Sequence, residues 1–296
     1  MKRTLLVVLV AAAALSFLPA VSSAKRIAPL AIRFSPLPER VATADAVVAG
    51  KVTSFEDKTV SAEPFAGAKE KAEFQIAVIK IEDAVLGAKG LTHVKVGTVK
   101  PPEGKPIIRP GGYGPPRLTV DQEGIFFLQK HPTESFYVLQ GANSVINKAS
   151  NDNFDKQLAR AKECAKLLAD PKAGLKSKEA EDRALTASML VIRYRTPIPG
   201  QTKTERIDAE ESKSILTALA GGDWTKGNAL EDLNPQWGFN RLGLTDKDGW
   251  NWQPEPGKPV GPNDFADAAK AWLKGHADSY RIERYVSDKK DEKKDK

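Results

Sequence analysis

The chain has 296 residues, 41% of them hydrophobic and 28% charged, which is ordinary globular composition and excludes collagen-like, mucin-like and wholly disordered chains. One cysteine excludes a disulfide scaffold or a Cys-rich metal site, and three histidines leave little room for a His-built centre. Of the formal charge of +7, Lys2 and Arg3 supply +2 and the tail Asp288–Lys296 supplies +1, leaving about +4 for residues 25–287. That excess is too thin and too scattered for a nucleic-acid footprint, so no nucleic-acid partner is expected.

The N-terminus reads as an export signal. A basic start (Lys2, Arg3) is followed by an apolar run from Leu5 to Ala14 and by small residues, with Ser22 and Ala24 at the −3 and −1 positions. This pattern predicts a secretory signal peptide over 1–24 with cleavage after Ala24. The stretch Leu5–Val21 contains Pro19 and, at 17 residues, is marginal for spanning a bilayer. No cysteine follows the signal and no later segment is apolar for ~18 residues. The mature chain is therefore expected to lack a lipid anchor and a transmembrane segment, and to be periplasmic or extracellular.

Residues 25–40, with Pro29, Pro36 and Pro38, read as an extended lead-in. Ala46–Phe55 is β-branched and predicts a strand. Residues 56–72 predict a long loop, Glu73–Glu82 alternates with period two, and Leu91–Val99 alternates again. Six prolines and four glycines between 100 and 117 exclude any regular element there. Glu123–Gln129 and Ser135–Leu139 read as a hairpin joined through His131-Pro132, with a short strand near Ser144–Ile146. These five principal strands, read as antiparallel, predict a small barrel or sandwich over 41–149.

The second half changes period. Helices are predicted from Asn151 or Asp152 to Ala169, from Ser177 to Tyr194 with Leu185, Met189 and Ile192 inward, and from Asp208 to Gly221-Gly222. A short helix over Pro235–Leu242 and a last one from Asn263 or Asp264 to His276 complete a helical region over 150–286. Asp208-Ala-Glu-Glu211 has the form of a capping box. The tail 287–296 mixes charges without apolar residues and is expected to be disordered.

The first half resembles the netrin/TIMP-like module, an OB-fold barrel. The residues that carry the likeness are Asp45 before Ala46-Val-Val-Ala-Gly50-Lys-Val-Thr, the long strand ending Val85-Leu86-Gly87, Val94–Val99, and the hairpin Gly124–Leu128 with Phe136–Leu139. The likeness covers roughly residues 40–148 and implies an OB-like barrel. The protease-inhibiting members depend on cysteines, and residues 25–150 contain none, so inhibition is not implied. The whole chain is also similar to uncharacterised exported bacterial proteins with a barrel followed by helices, which implies no activity. The expected fold is α+β: an N-terminal five-stranded OB-like antiparallel β-barrel, then an α-helical C-terminal region.

Few residues offer chemistry. Cys164 lies mid-helix beside the apolar face and reads as a buried thiol. His93, His131 and His276 stand too far apart for a local metal motif, and His131 reads as a turn residue. Gly111-Gly112-Tyr113-Gly114 is bracketed by prolines with no helix after it, which excludes a phosphate loop and leaves Tyr113 on a surface loop. All five tryptophans lie at 224 or beyond. Trp272 reads as core and Trp224 as the edge of the core. Trp250 and Trp252 stand two apart among prolines and acids, either pinning a loop or stacking on sugar rings.

No nucleophile elbow or zincin motif appears. Glu210/Glu211 and Asp246/Asp248 fit caps and turns rather than paired catalytic acids. No catalytic, cofactor or metal residues are assigned. The expectation is an exported non-catalytic binding or structural module with a protein or glycan partner, its candidate contacts being Trp250, Trp252 and Tyr113. The alternative is a hydrolase acting on an envelope or extracellular polysaccharide.

Overall fold

The computed structural model describes residues 35–100, 117–139, 141–197, 202–225, 232–254, 257 and 259–286. The signal cleavage after Ala24, Tyr113 and the tail 287–296 lie outside the described residues.

The chain enters through α1 (Leu37–Thr43), which buries Leu37, Val41 and Ala42. The extended lead-in predicted over 25–40 is corrected over 37–40, which are helical; residues 25–34 lie outside the described residues. Pro38 sits in the first turn of α1, where a missing N–H has no partner to lose and a fixed φ suits the helix.

The strands are β1 (Ala46–Phe55), β2 (Val60–Ala62), β3 (Ala72–Leu86), β4 (His93–Val99), β5 (Glu123–Lys130), β6 (Tyr137–Leu139) and β7 (Val145–Asn147). β1 pairs antiparallel with both β3 and β5, β3 with β4, and β5 with β6. β4 pairs with β6 in parallel, Val96 opposite Tyr137. The circuit β1-β3-β4-β6-β5-β1 is a closed five-stranded barrel in OB-like order. The all-antiparallel expectation is thus corrected to a mixed barrel. A closed ring with an odd number of strands cannot alternate direction at every step, so one parallel pair is unavoidable. β2 adds to β3 through Val60 opposite Phe74, correcting the loop predicted over 56–72.

Asp45 latches the barrel seam. Its N–H donates to the Leu128 carbonyl at 2.9 Å, and its Oδ2 accepts the Lys130 N–H at 2.8 Å. Gly50 sits where β1 crosses β3, and a Cβ there would lie 2.2 Å from the Lys80 carbonyl oxygen. Glycine is the residue that allows this approach.

Both faces of β1 and β5 are buried. Val48, Val52, Phe126 and Leu128 point into the barrel with Ile79, Val94 and Val96. The alternate residues Val47, Ile125 and Phe127 point outward into the helical core. This explains the unbroken apolar run at Ala46–Ala49, and it joins barrel and helices through one core. A smaller cluster of Ala62, Phe74, Ile76 and Phe136 lies under β2.

The helices are α2 (Phe154–Ala169), α3 (Pro171–Leu175), α4 (Ala180–Arg195), α5 (Ala209–Ala220), α6 (Pro235–Leu242) and α7 (Asp264–His276). Asp170 ends α2, as its Pro171 neighbour predicts, but it also caps α3 by accepting the Ala173 N–H at 3.0 Å. Asp208 caps α5, accepting the Glu210 and Glu211 N–H groups at 2.9 and 3.1 Å. The Glu211 carboxylate, which would close a capping box, accepts instead from the Tyr194 hydroxyl at 2.5 Å. α4 is buried continuously from Ala184 to Ile192, because α1, α2, α3, α5 and α6 surround it. A helix enclosed on all sides shows no polar face. Two short strands, β8 (Thr204–Arg206) and β9 (Glu283–Tyr285), pair antiparallel beside α4.

Candidate functional site

Phe265 on α7 and Phe239 on α6 organise the tryptophans. Trp250 meets Phe239 edge-on at 4.8 Å and Phe265 at 5.9 Å. Trp252 meets Phe265 at 5.3 Å. Both indoles are half-buried. The segment 250–254 is not a strand, so the shared face expected of strand residues two apart is replaced by a shared phenylalanine. Trp224 is buried and closes α5 by donating Nε1–H to the Leu219 carbonyl at 2.9 Å. Trp272 is buried on α7.

The loop before the two indoles is tightly held. The Thr245 N–H and hydroxyl each donate to Asp248 Oδ2 at 2.9 Å, and the Asp248 N–H returns to the Thr245 carbonyl at 2.9 Å. Gly249 follows with φ +73°, and the Trp250 N–H donates to the Thr245 carbonyl at 3.2 Å. Trp272 Nε1–H donates to the Asp248 carbonyl at 2.9 Å, tying this turn to α7.

Asp248 also lines a pocket of about 310 Å³. Three arginines from different elements line it: Arg195 at the end of α4, Arg206 at the end of β8, and Arg281 between α7 and β9. Ser279, Tyr280 and Glu283 complete its polar lining. Glu283 Oε2 accepts from Arg195 Nη1 at 3.4 Å and from the Thr204 hydroxyl at 3.2 Å. Arg281 Nη1 donates to the Asp278 and Tyr280 carbonyls, each at 3.0 Å. The Arg206 side chain makes no hydrogen bond or ion pair among the described residues. Burial pushes the Tyr280 phenol up; Asp248 and Glu283 act in the same direction, and Arg195 and Arg206 oppose them. Tyr280 is therefore a neutral hydroxyl donor at neutral pH. Its ring meets Trp272 edge-on at 5.2 Å, and Trp272 stacks on His276 at 4.6 Å.

Two other pockets, of about 440 and 370 Å³, share Arg160 and Asp232. There the Arg160 guanidinium is already held by Asp232 at 2.6 Å and Glu163 at 3.0 Å.

The remaining candidates from the sequence are structural. Cys164 is fully buried, and its thiol is pushed up to about 12, chiefly by burial. A thiol so placed is neither a nucleophile nor a ligand at neutral pH. His131 is buried rather than simply a turn residue. Its Nδ1 accepts the Thr133 and Glu134 N–H groups at 3.3 and 3.1 Å, which assigns the proton to Nε2, 2.8 Å from the Glu63 carbonyl. His93 is exposed, and His276 lies on Trp272 with Nδ1 2.9 Å from the Trp272 carbonyl. Among the described residues no group of three His, Cys, Asp or Glu side chains is arranged to hold a metal.

The arginine pocket was not visible in the sequence. Arg195, Arg206, Tyr280 and Arg281 belong to no motif and no charge run, and only the packing of β8 and β9 beside α4 brings them together.

No known family model and no curated protein matches the chain. Among the described residues no helix is long and apolar enough to cross a membrane.

Proposed function

We propose that the protein is an exported, non-catalytic binding module of the cell envelope or extracellular space, and that the corner around the 245–252 loop engages its ligand. The observation that carries this reading is how the polar groups of the corner are committed. Asp248 is held by Thr245, and Glu283 by Arg195 and Thr204. The Arg206 guanidinium and Tyr280 hydroxyl have no hydrogen-bond partner among the described residues. A glycosidase needs two carboxylates free to exchange protons or attack carbon. A receptor needs donors and flat apolar faces that await a ligand, and Trp250 and Trp252 supply such faces on the same loop. The signal-like N-terminus supports export, and the OB-like order of the barrel supports kinship of the first half with netrin/TIMP-like modules.

The test is a titration of intrinsic tryptophan fluorescence with soluble polysaccharides, alongside an assay for newly released reducing ends. A saturable shift, weakened in Trp250→Ala and Trp252→Ala and unaccompanied by new reducing ends, is the expected result. Release of reducing ends would replace this reading with the polysaccharide hydrolase.

A further inference from the structure

The pocket beside the tryptophan loop carries a more specific chemistry. Its three guanidinium groups and two carboxylates leave one net positive charge, which matches a monoanion better than a phosphate near −2. Arg281 is held by two backbone carbonyls through Nη1, and the rest of its planar fork has no hydrogen-bond partner among the described residues. Arg206 at the rim and the Tyr280 hydroxyl add donors with no acceptor among the described residues. A planar carboxylate is the acceptor that guanidinium forks fit in pairs. The volume of about 310 Å³ is at the small end for ligand sites and suits a single ring. Leu242 is the one aliphatic side chain in the lining, which gives a peptide's neighbouring side chains little to pack on.

We infer that this pocket receives the carboxylate of an acidic sugar residue, bound by Arg206, Arg281 and the Tyr280 hydroxyl. The inference rests on the binding-module reading and names its ligand class. The affinity of such a site falls with salt, because Arg206 is exposed and exposed charges are screened.

Calorimetric titration of the full chain with trigalacturonate, maltotriose, triglutamate and inorganic phosphate tests it. Trigalacturonate is expected to bind, more weakly at high salt, and maltotriose to bind far less. Arg206→Ala should lower trigalacturonate affinity by about ten-fold or more, the loss of one charge-assisted contact. Its melting temperature should change little, because the side chain is exposed and has no hydrogen bond or ion pair among the described residues to lose. Arg206→Lys should recover only part of the affinity, since it keeps the charge but not the fork. Tyr280→Phe should weaken binding without altering stoichiometry. Maltotriose binding as well as trigalacturonate, with Arg206→Ala silent, overturns the inference and leaves the binding module standing. Preference for triglutamate or phosphate reassigns the pocket to a peptide or an inorganic anion and overturns it equally. Binding of none of the four overturns the inference, while the polysaccharide titration above decides the broader reading independently.

Discussion

Arg241 on α6 reaches back to Glu39 on α1, with Nη2 2.5 Å from Oε1, and the Glu39 side chain is only 6% exposed. The pair joins two helices 202 residues apart in sequence. Beside it, Arg40 donates to the Asn143 carbonyl at 3.2 Å and lies 5.3 Å from the centre of the Phe127 ring on the outer face of the barrel. α1 thus adds a polar tie between barrel and helices to the core that they share.

Breaking that pair should be costly. Arg241→Ala removes the guanidinium paired with the buried Glu39 carboxylate, and breaking a buried ion pair from one side costs about 3–5 kcal/mol. Replacing both partners with apolar residues, as in Glu39→Leu with Arg241→Met, should recover much of the loss, because the desolvation penalty disappears with the charges. Urea denaturation of the two variants decides this. Equal losses in both would mean that packing, not charge, governs the contact.

Stability should fall in alkaline solution. The Cys164 thiol is held near 12 in the folded chain against 9.0 when unperturbed. Between those values the unfolded chain gives up a proton that the folded chain keeps. Unfolding is then favoured by about 1.4 kcal/mol for each pH unit above 9. Burial and the Glu211 contact also hold the Tyr194 phenol up, which adds to the fall at higher pH. Cys164→Ala should remove the thiol's share of the slope between pH 9 and 10.5, measured as denaturation midpoints. The native thiol should react with a disulfide reagent only on unfolding.

His131→Ala should loosen the seam between the 56–71 segment and the β5–β6 hairpin. The ring's three backbone contacts and its packing on Phe74 and Phe136, 5.4 and 4.7 Å away, would all be lost. A cost of about 2–3 kcal/mol follows from the lost hydrogen bonds and apolar contact. Hydrogen exchange should quicken at Thr133 and Glu134 before it does in the barrel strands. Uniform quickening would mean that the histidine serves the whole barrel.

Trp250→Ala should destabilise the helical region more than Trp252→Ala. Trp250 packs on two phenylalanines and Trp252 on one. Both are half-buried, so the losses should lie below the ~3–5 kcal/mol of a fully buried aromatic deletion, with Trp250 near 2. Thermal denaturation compares them directly, and equal shifts would count against Phe239 as the second anchor.

The sequence carried most of the local structure. Period two marked β3 and β4, β-branched and apolar runs between turn signals marked β1 and β5, and period near 3.6 together with caps such as Asp208 marked α2, α4, α5, α6 and α7. These signals are local because one residue type repeating on one face is enough to state them. The helix α1 was missed because prolines forbidden inside a helix are welcome at its start, and the pattern at 36–38 reads both ways. β8 was missed because three residues are too few to show a period.

The parallel pairing of β4 with β6 had no sequence signature, since it follows from closing an odd number of strands into a ring. Nor did the pocket. The sequence by itself determined the barrel strands, the major helices and the inert character of Cys164, each set by neighbours within a few positions. Only the tertiary structure decided that Arg195, Arg206 and Arg281 share one pocket with Tyr280, because long-range packing sets the distance between charges on separate elements.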